Sequence, residues 1–221
     1  MTRNVFSGFD RIRIINLPER TDRRREMERE LARIGLEGDP RIAFVPGIRP
    51  ADMAPFRARG EKGVFLSHLA ILEEAAAAEE SVLILEDDAD FTRQAEIGAP
   101  LPTTGIAYGG YEAGDPDHLA TSDIIGAHCM GIGADQVTPL APYLRALLDH
   151  ESPPPIDGAY VWYRRAHPEV PTYFAVPPVA VQRPSRSDIA GGKFFDDIPV
   201  VRDLARLARR LKRRMKDQRG R

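Results

Sequence analysis

A short apolar stretch that runs directly into a group of carboxylates constrains the fold more than any other part of the sequence. Residues 82–85 read VLIL, and an alanine-rich helical pattern at 63–80 comes just before them. Four carboxylates follow within five positions: Glu86, Asp87, Asp88 and Asp90. A short, fully apolar run is typical of a strand buried on both faces of a parallel sheet. Because crowded negative charge is unfavourable, the stretch predicts either a cation site or a solvated turn at the end of a central strand.

Helix and strand patterns alternate along the rest of the chain. Strand patterns occupy 11–17, 41–45, 82–86, 105–111, 124–132 and 172–182, and helical patterns occupy 21–35, 63–80, 139–149 and 157–166. Thr21 or Asp22 is predicted to cap the first helix, and Gly35 to end it. This alternation predicts an α/β domain with a largely parallel sheet over residues 1–190, followed by a linker at 191–201.

Composition narrows the class of protein. A chain of 221 residues with 43% hydrophobic content fits one domain better than two. The single cysteine, Cys129, excludes an intramolecular disulfide framework, indicates a reducing compartment and is expected to be buried and inert. The chain has no signal-like apolar region and no run long enough to span a bilayer, so we expect a cytoplasmic protein.

The last twenty residues carry a charge opposite to that of the rest. Residues 202–221 hold ten Arg and Lys against two Asp, which leaves about −10 on residues 1–201. One helical stripe of the tail is apolar: Leu204, Leu207, Leu211 and Met215. This basic amphipathic helix either packs on its own domain or docks on an anionic membrane surface, on the cytoplasmic face of the inner membrane. Nucleic-acid contact is the third alternative, but we expect none because the acidic body opposes a phosphate backbone.

Two charged segments follow predicted strands. NLPERTDRR begins at Asn16, and EDDADF begins at Glu86. In open α/β sheets ligands bind beyond the carboxyl ends of the strands, so neighbouring strands would bring both segments to one crevice. Carboxylates that hold a divalent ion beside arginines suit a phosphate-bearing substrate. The alternative for Arg20, Arg23 and Arg24 is ordinary ion pairing at the surface.

Three ordered blocks of the sequence resemble a known family. These are IINLPERTDRRREMERELARIG, GEKGVFLSHLAIL and SVLILEDDADF, and two later segments, GAHCMGI and PPIDGAYVWYRR, are also similar. Together they resemble glycosyltransferase family 25, which comprises lipopolysaccharide-type and procollagen-type galactosyltransferases. The resemblance covers residues 10–188.

The resemblance implies a GT-A type fold and a divalent-metal site. Glu86 and Asp88 would hold Mn²⁺ or Mg²⁺ together with the diphosphate of a UDP-hexose, while Asp88 and Asp90 form an alternative, overlapping frame. The residues that match the nucleotide-sugar blocks are Asn16, Leu17, Arg20, Arg23, Ser67, His68 and Asp87. The alternative for His68 and for His128 is a structural role, as side chains whose hydrogen bonds are satisfied within the protein.

Sugar transfer with inversion needs a carboxylate that takes the proton of the acceptor hydroxyl. Asp157 is the first candidate, with a plain helix N-cap as the alternative, and Asp188 is the second. Three aromatic residues close to Asp157 are candidates to stack on an acceptor sugar, although at least one should be core: Tyr160, Trp162 and Tyr163.

The resemblance therefore implies transfer of a hexose, with galactose favoured, to a glycan or lipid-linked glycan in lipopolysaccharide or surface-polysaccharide synthesis. Two other classes stay open. One is a non-catalytic nucleotide-sugar-binding paralogue. The other is a membrane- or RNA-associated scaffold that uses the basic tail.

Overall fold

A computed structural model describes residues 4–183. Its strands are β1 Arg11–Asn16, β2 Ile42–Pro46, β3 Val82–Glu86, β4 Ala89–Phe91, β5 Ile106–Ala113, β6 Ile124–Ile132, β7 Thr172–Phe174 and β8 Ala180–Gln182. Its helices are α1 Thr21–Arg33, α2 Arg59–Ala78, α3 Gln94–Ile97, α4 Ala134–Leu147 and α5 Ile156–Ala166. The predictions for Asp188, the linker at 191–201 and the basic tail at 202–221 lie outside the described residues.

Six strands form a central sheet in the order β2-β1-β3-β6-β5-β7. Strands β2, β1 and β3 pair in parallel, as do β5 and β7, whereas β6 runs antiparallel to both of its neighbours. The sheet is therefore mostly parallel and flanked by helices, which confirms the predicted α/β class. Because β1 and β3 are neighbours, the segments after Asn16 and Glu86 do meet at one edge.

Strand β3 lies in the middle of the sheet, and both of its faces are covered. Val82 and Ile84 lie in one apolar cluster with residues of α2, α4 and α5, while Leu83 and Leu85 lie in a second cluster with Met27 of α1. All four side chains of VLIL have no exposed surface. A strand with two buried faces cannot alternate apolar with polar residues, which is why the sequence shows an uninterrupted apolar run.

Register brings β6 to the same edge as the carboxylates. Leu85 lies opposite Cys129, and the antiparallel direction puts the residues before Cys129 beside those after Leu85. Gly126 and His128 therefore reach the carboxyl edge of β3 from the opposite chain direction.

Two local predictions were wrong. The stretch 172–182 is two short strands in different sheets, because Pro177 and Pro178 interrupt it and β8 pairs with β4 instead. The N-cap of α1 is Arg20, without a side-chain cap bond, so neither Thr21 nor Asp22 caps it. The turn that was one alternative for the acidic segment is present at Asp87 and Asp88, between β3 and β4, but both residues are buried and the turn is not solvated.

Candidate active site

Asp87 ties the ends of β1 and β3 together. Asn16 Nδ2 donates to Asp87 Oδ2 at 2.7 Å, and Arg23 of α1 donates to Asp87 Oδ1 at 2.9 Å. All three residues are buried. The charge of Asp87 is thus balanced, and both of its oxygens accept hydrogen bonds from protein groups. Asp87 therefore has a structural role at the base of the site.

Asp88 is the carboxylate with an open oxygen. Its Oδ2 accepts from Gln182 at 3.3 Å and lies 3.4 Å from an Arg23 nitrogen, while its buried Oδ1 has no hydrogen-bond partner in residues 4–183. Burial, and next the charge of Glu86, raise the pKa of Asp88 to about 6. A buried carboxylate with an unpartnered oxygen is unfavourable by itself, so Asp88 is suited to receive a cation or a hydrogen-bond donor.

Glu86 stands between two other buried groups. Its Oε1 lies 3.7 Å from Nε2 of His68, and the other ring nitrogen, Nδ1, contacts the hydroxyl of Tyr160 at 3.0 Å. Burial raises the pKa of Glu86, but the neighbouring His68 outweighs this and holds that pKa below its ordinary value. Glu86 is therefore an ionised carboxylate in a largely enclosed site.

Asp157 faces the same site from α5. Its Oδ2 accepts the backbone N–H of Gly126 at 2.9 Å, and its Oδ1 accepts that of Gly158 at 2.8 Å. Helix α5 begins at Ile156 with Pro155 as N-cap, so the interpretation of Asp157 as the N-cap was wrong. Burial raises the pKa of Asp157, and the charge of Glu86 adds to that effect. These are properties of a carboxylate able to accept a proton.

His128 completes the enclosed group of polar side chains. Its Nε2 lies 3.4 Å from the carbonyl of Ala180, its Nδ1 has no partner among the described residues, and the ring is buried. Burial lowers the pKa of His128, which indicates a neutral imidazole. A Cβ at Gly110 would lie 2.4 Å from Nε2, so the absence of a side chain at Gly110 makes room for this ring.

Four buried polar atoms in this region lack a hydrogen-bond partner within residues 4–183. They are His68 Nε2, Asp88 Oδ1, Tyr108 Oη and His128 Nδ1. The charge of Glu86 acts on Asp88, His128, Asp157 and Tyr160, so these side chains belong to one electrostatic cluster. Such a concentration of unpaired polar atoms indicates a place for a polar ligand.

Other predicted site residues have structural partners. Arg20 pairs with Asp22 at 2.9 Å on the surface, and half-buried Leu17 packs towards Gly47. The Ser67 hydroxyl donates to the Gly63 carbonyl and accepts the N–H of Ile48, so it fixes the loop after β2 onto α2. None of these contacts tests a ligand role, and for these three residues that role stays a prediction.

The residues that flank the site do not all lie as expected. Tyr160 and Tyr163 are buried, so they cannot stack on an acceptor; Trp162, 39% exposed, contacts the ring of His150. Asp90, whose side chain is 39% exposed, pairs with Arg183, whose Nε donates to it at 2.8 Å. Cys129 is buried, and burial raises the pKa of its thiol, as expected of an inert cysteine.

Sequence reasoning missed Gly126, Gln182 and Tyr108 as parts of the site. The sequence marks Gly126 only as a glycine inside a strand pattern, which often indicates a bulge or a close approach of the backbone. The structure shows the requirement itself, a φ of +87°. Gln182 and Tyr108 have no signal in the sequence, since each reaches the cluster only through strand pairing.

Within residues 4–183, no group of three or more His, Cys, Asp and Glu side chains is arranged to hold a metal ion. Glu86 and Asp88 are both carboxylates, the ligand type that a hard divalent cation takes, and Asp88 has an unpartnered oxygen in the described residues. Their role as metal ligands stays a prediction.

No helix in the described part of the chain is long and apolar enough to cross a membrane.

Comparisons with known proteins support the glycosyltransferase class. The mouse and human procollagen galactosyltransferase 2 proteins are each 35% identical to the chain over an alignment of 105 residues, and the match covers 39% of this chain. The chain spans only 17% of the length of these relatives. No family model matches the sequence.

One solved structure is similar in chain path. It is a glycosyltransferase involved in the glycosylation of the major capsid of PBCV-1, with a TM-score of 0.48 and 12% identity. The likeness covers 80% of this chain and 95% of the other.

Proposed function

We propose that the protein is a family 25-type glycosyltransferase that moves a hexose, with galactose favoured, from a UDP-sugar to a glycan acceptor. The acceptor is a glycan or lipid-linked glycan of lipopolysaccharide or another surface polysaccharide. The observation that carries this proposal is the placement of three carboxylates at one edge of the sheet: Glu86 and Asp88 end and follow β3, and Asp157 accepts the N–H of Gly126 on the neighbouring strand β6. Asp88 Oδ1 has no hydrogen-bond partner in the described residues.

Glu86 and Asp88 would hold Mn²⁺ or Mg²⁺, with Asp87 kept out of coordination by Asn16 and Arg23. Bound there, the ion supplies Lewis-acid stabilisation of the diphosphate leaving group. Arg23 adds positive charge beneath the same edge. The remaining chemistry belongs to side chains of this chain.

Asp157 is the proposed base. An acceptor hydroxyl attacks the anomeric carbon, its proton goes to an Asp157 oxygen, and the bond to UDP breaks with the electron pair leaving on the diphosphate. Each Asp157 oxygen accepts one backbone N–H and keeps a second lone pair for that proton. The two N–H groups hold the carboxylate in place without neutralising it.

The test is UDP release from a panel of UDP-sugars with Mn²⁺, together with thermal shift, since a ligand of the native state raises apparent stability. We expect one sugar to give both a metal-dependent shift and turnover in the presence of a glycan acceptor. Asp88→Asn should abolish Mn²⁺-dependent donor binding, whereas Asp90→Asn should retain it. Loss of binding in both Asp88→Asn and Asp90→Asn would support the overlapping Asp88 and Asp90 frame.

Two outcomes would support the other classes. A metal-dependent shift without release of UDP from any sugar indicates a non-catalytic nucleotide-sugar-binding paralogue. No shift with any nucleotide sugar, combined with loss of a membrane or RNA partner on deletion of 202–221, indicates a scaffold that depends on its tail.

A further inference from the structure

A chain of buried contacts runs from the core of the protein to Glu86. Tyr160 of α5 and His68 of α2 each have no exposed surface, and Tyr160 Oη lies 3.0 Å from His68 Nδ1. On the other side of the ring, His68 Nε2 lies 3.7 Å from Glu86 Oε1. Two helices therefore contribute one side chain each to a line that ends at a carboxylate of the site.

The hydrogen-bond partners determine which ring nitrogen carries the proton. A buried phenol hydrogen needs an acceptor, and His68 Nδ1 is the acceptor that the structure gives it. When the lone pair of Nδ1 accepts this hydrogen bond, Nδ1 carries no proton, and the ring proton lies on Nε2. The opposite tautomer would leave the phenol hydrogen without that acceptor and point a lone pair of Nε2 at the Glu86 carboxylate.

We propose that Tyr160 and His68 are positioning residues for Glu86. The Tyr160 hydroxyl fixes the tautomer and orientation of His68, and the Nε2–H of His68 then holds the Glu86 carboxylate at the edge of the sheet. The distance of 3.7 Å is longer than a hydrogen bond, and Glu86, with 16% of its side chain exposed, is the less enclosed of the two partners. The consequence for metal binding rests on the proposed function, but the tautomer does not.

The chain offers a matched control on the same helix. Tyr163 is also buried, and its hydroxyl donates to Gln136 Oε1 at 3.0 Å, away from Glu86. Tyr160→Phe and Tyr163→Phe each remove one buried, hydrogen-bonded hydroxyl and keep the ring. Their general effects on stability should therefore be similar.

The first experiment is ¹⁵N NMR of the histidine rings of the full chain, with His68 assigned from the His68→Gln variant. We expect wild type and Tyr163→Phe to show the neutral Nε2–H tautomer, and Tyr160→Phe to show a mixture. Detection of the Nδ1–H tautomer or of a doubly protonated ring in wild type at pH 8 overturns the proposal. This measurement decides the question even if Tyr160→Phe fails to fold.

The second experiment is titration with Mn²⁺ in the presence of UDP. Removing a group that orients a metal ligand typically costs about 10- to 100-fold in affinity, so we expect a loss of about tenfold in Tyr160→Phe and none in Tyr163→Phe. His68→Gln should retain most of the affinity, because its amide N–H can take the place of Nε2–H. Wild-type affinity in a folded Tyr160→Phe variant overturns the positioning role, whereas absence of Mn²⁺ binding in the wild type overturns the proposed function instead.

Discussion

The backbone N–H of Gly126 donates to Oδ2 of Asp157 at 2.9 Å, from a residue with φ +87°. A non-glycine residue is strained at this φ, and a Cβ here would lie 3.1 Å from Nδ1 of His128. Strand β6 thus uses a glycine to aim one N–H at a carboxylate of α5. The orientation of Asp157 depends on the backbone of a different element.

Gly126→Ala should therefore impair transfer more than it impairs folding. Displacement of a reacting group by about 1 Å can cost about 100-fold in rate, so we expect a fall in kcat of that order with donor affinity retained. Gly38→Ala is the control, because Gly38 has φ +71° and nothing within 4 Å of an added Cβ. Both variants should lose about 1–2 kcal/mol of stability, and equal kcat values in the two would contradict the positioning of Asp157 by Gly126.

Asp157→Asn tests the base directly. Removal of a general base typically lowers the rate by about 100- to 10,000-fold, and the donor site at Glu86 and Asp88 should be unaffected. The measurement is kcat together with Mn²⁺-dependent UDP affinity. A variant that retains turnover, or one that loses donor affinity in parallel, would transfer the base role to another carboxylate such as Asp188.

The pH dependence of transfer gives a separate test of Asp157. Burial raises its pKa, and the Gly126 N–H lowers it in part. Because the base must be ionised, kcat should fall as the pH drops through a pKa above that of an ordinary aspartate. In Gly126→Ala this acidic limb should move to higher pH, whereas in Gly38→Ala it should coincide with wild type.

The α/β fold and the meeting of the segments after Asn16 and Glu86 could be predicted from the sequence, because both depend on patterns within short segments of the chain. VLIL could be assigned because a strand buried on both faces has no polar position, and Asn16 and Glu86 could be brought together because parallel neighbours end at one edge. The donor sugar and the acceptor came from the resemblance alone, whereas a divalent cation beside a phosphate was also predicted from the charged segments after Asn16 and Glu86. All three stay proposals.

The missed parts depend on pairing between distant segments. Gln182 reaches Asp88 because β8 pairs with β4, and Gly126 reaches Asp157 because β6 runs antiparallel to β3. Tyr160 was misassigned because an aromatic residue on an amphipathic helix can face the core or a ligand, and the sequence pattern does not distinguish the two. Its partner, His68, lies 92 residues away along the chain.

Asp88 should make the metal-free protein less stable at neutral pH. Its pKa of about 6 lies above the ordinary aspartate value, so between about pH 4 and 6 the folded state binds more protons and stability falls as the pH rises. Asp88→Asn removes this charge, and we expect its Tm at pH 7.5 to exceed that of wild type by about 4 °C. The difference should vanish near pH 4, and a lower Tm for Asp88→Asn at pH 7.5 would contradict the unfavourable charge.

Asp87→Asn should have the opposite effect, although the two aspartates are adjacent. Asp87 pairs with buried Arg23 at 2.9 Å, and removal of one partner of a buried ion pair typically costs about 3–5 kcal/mol because the other charge stays buried. We expect the lower end of that range, since Arg23 keeps its contact with Asp88 at 3.4 Å. Asp22→Asn is the control, because Asp22 is 61% exposed and an exposed pair such as the one it forms with Arg20 contributes little to stability. Chemical denaturation at pH 7.5 without metal measures all three variants. Stabilisation by Asp88→Asn would show that the charge of Asp88 is unfavourable in the metal-free protein. Destabilisation by Asp87→Asn would show that the charge of Asp87 is already balanced by protein groups.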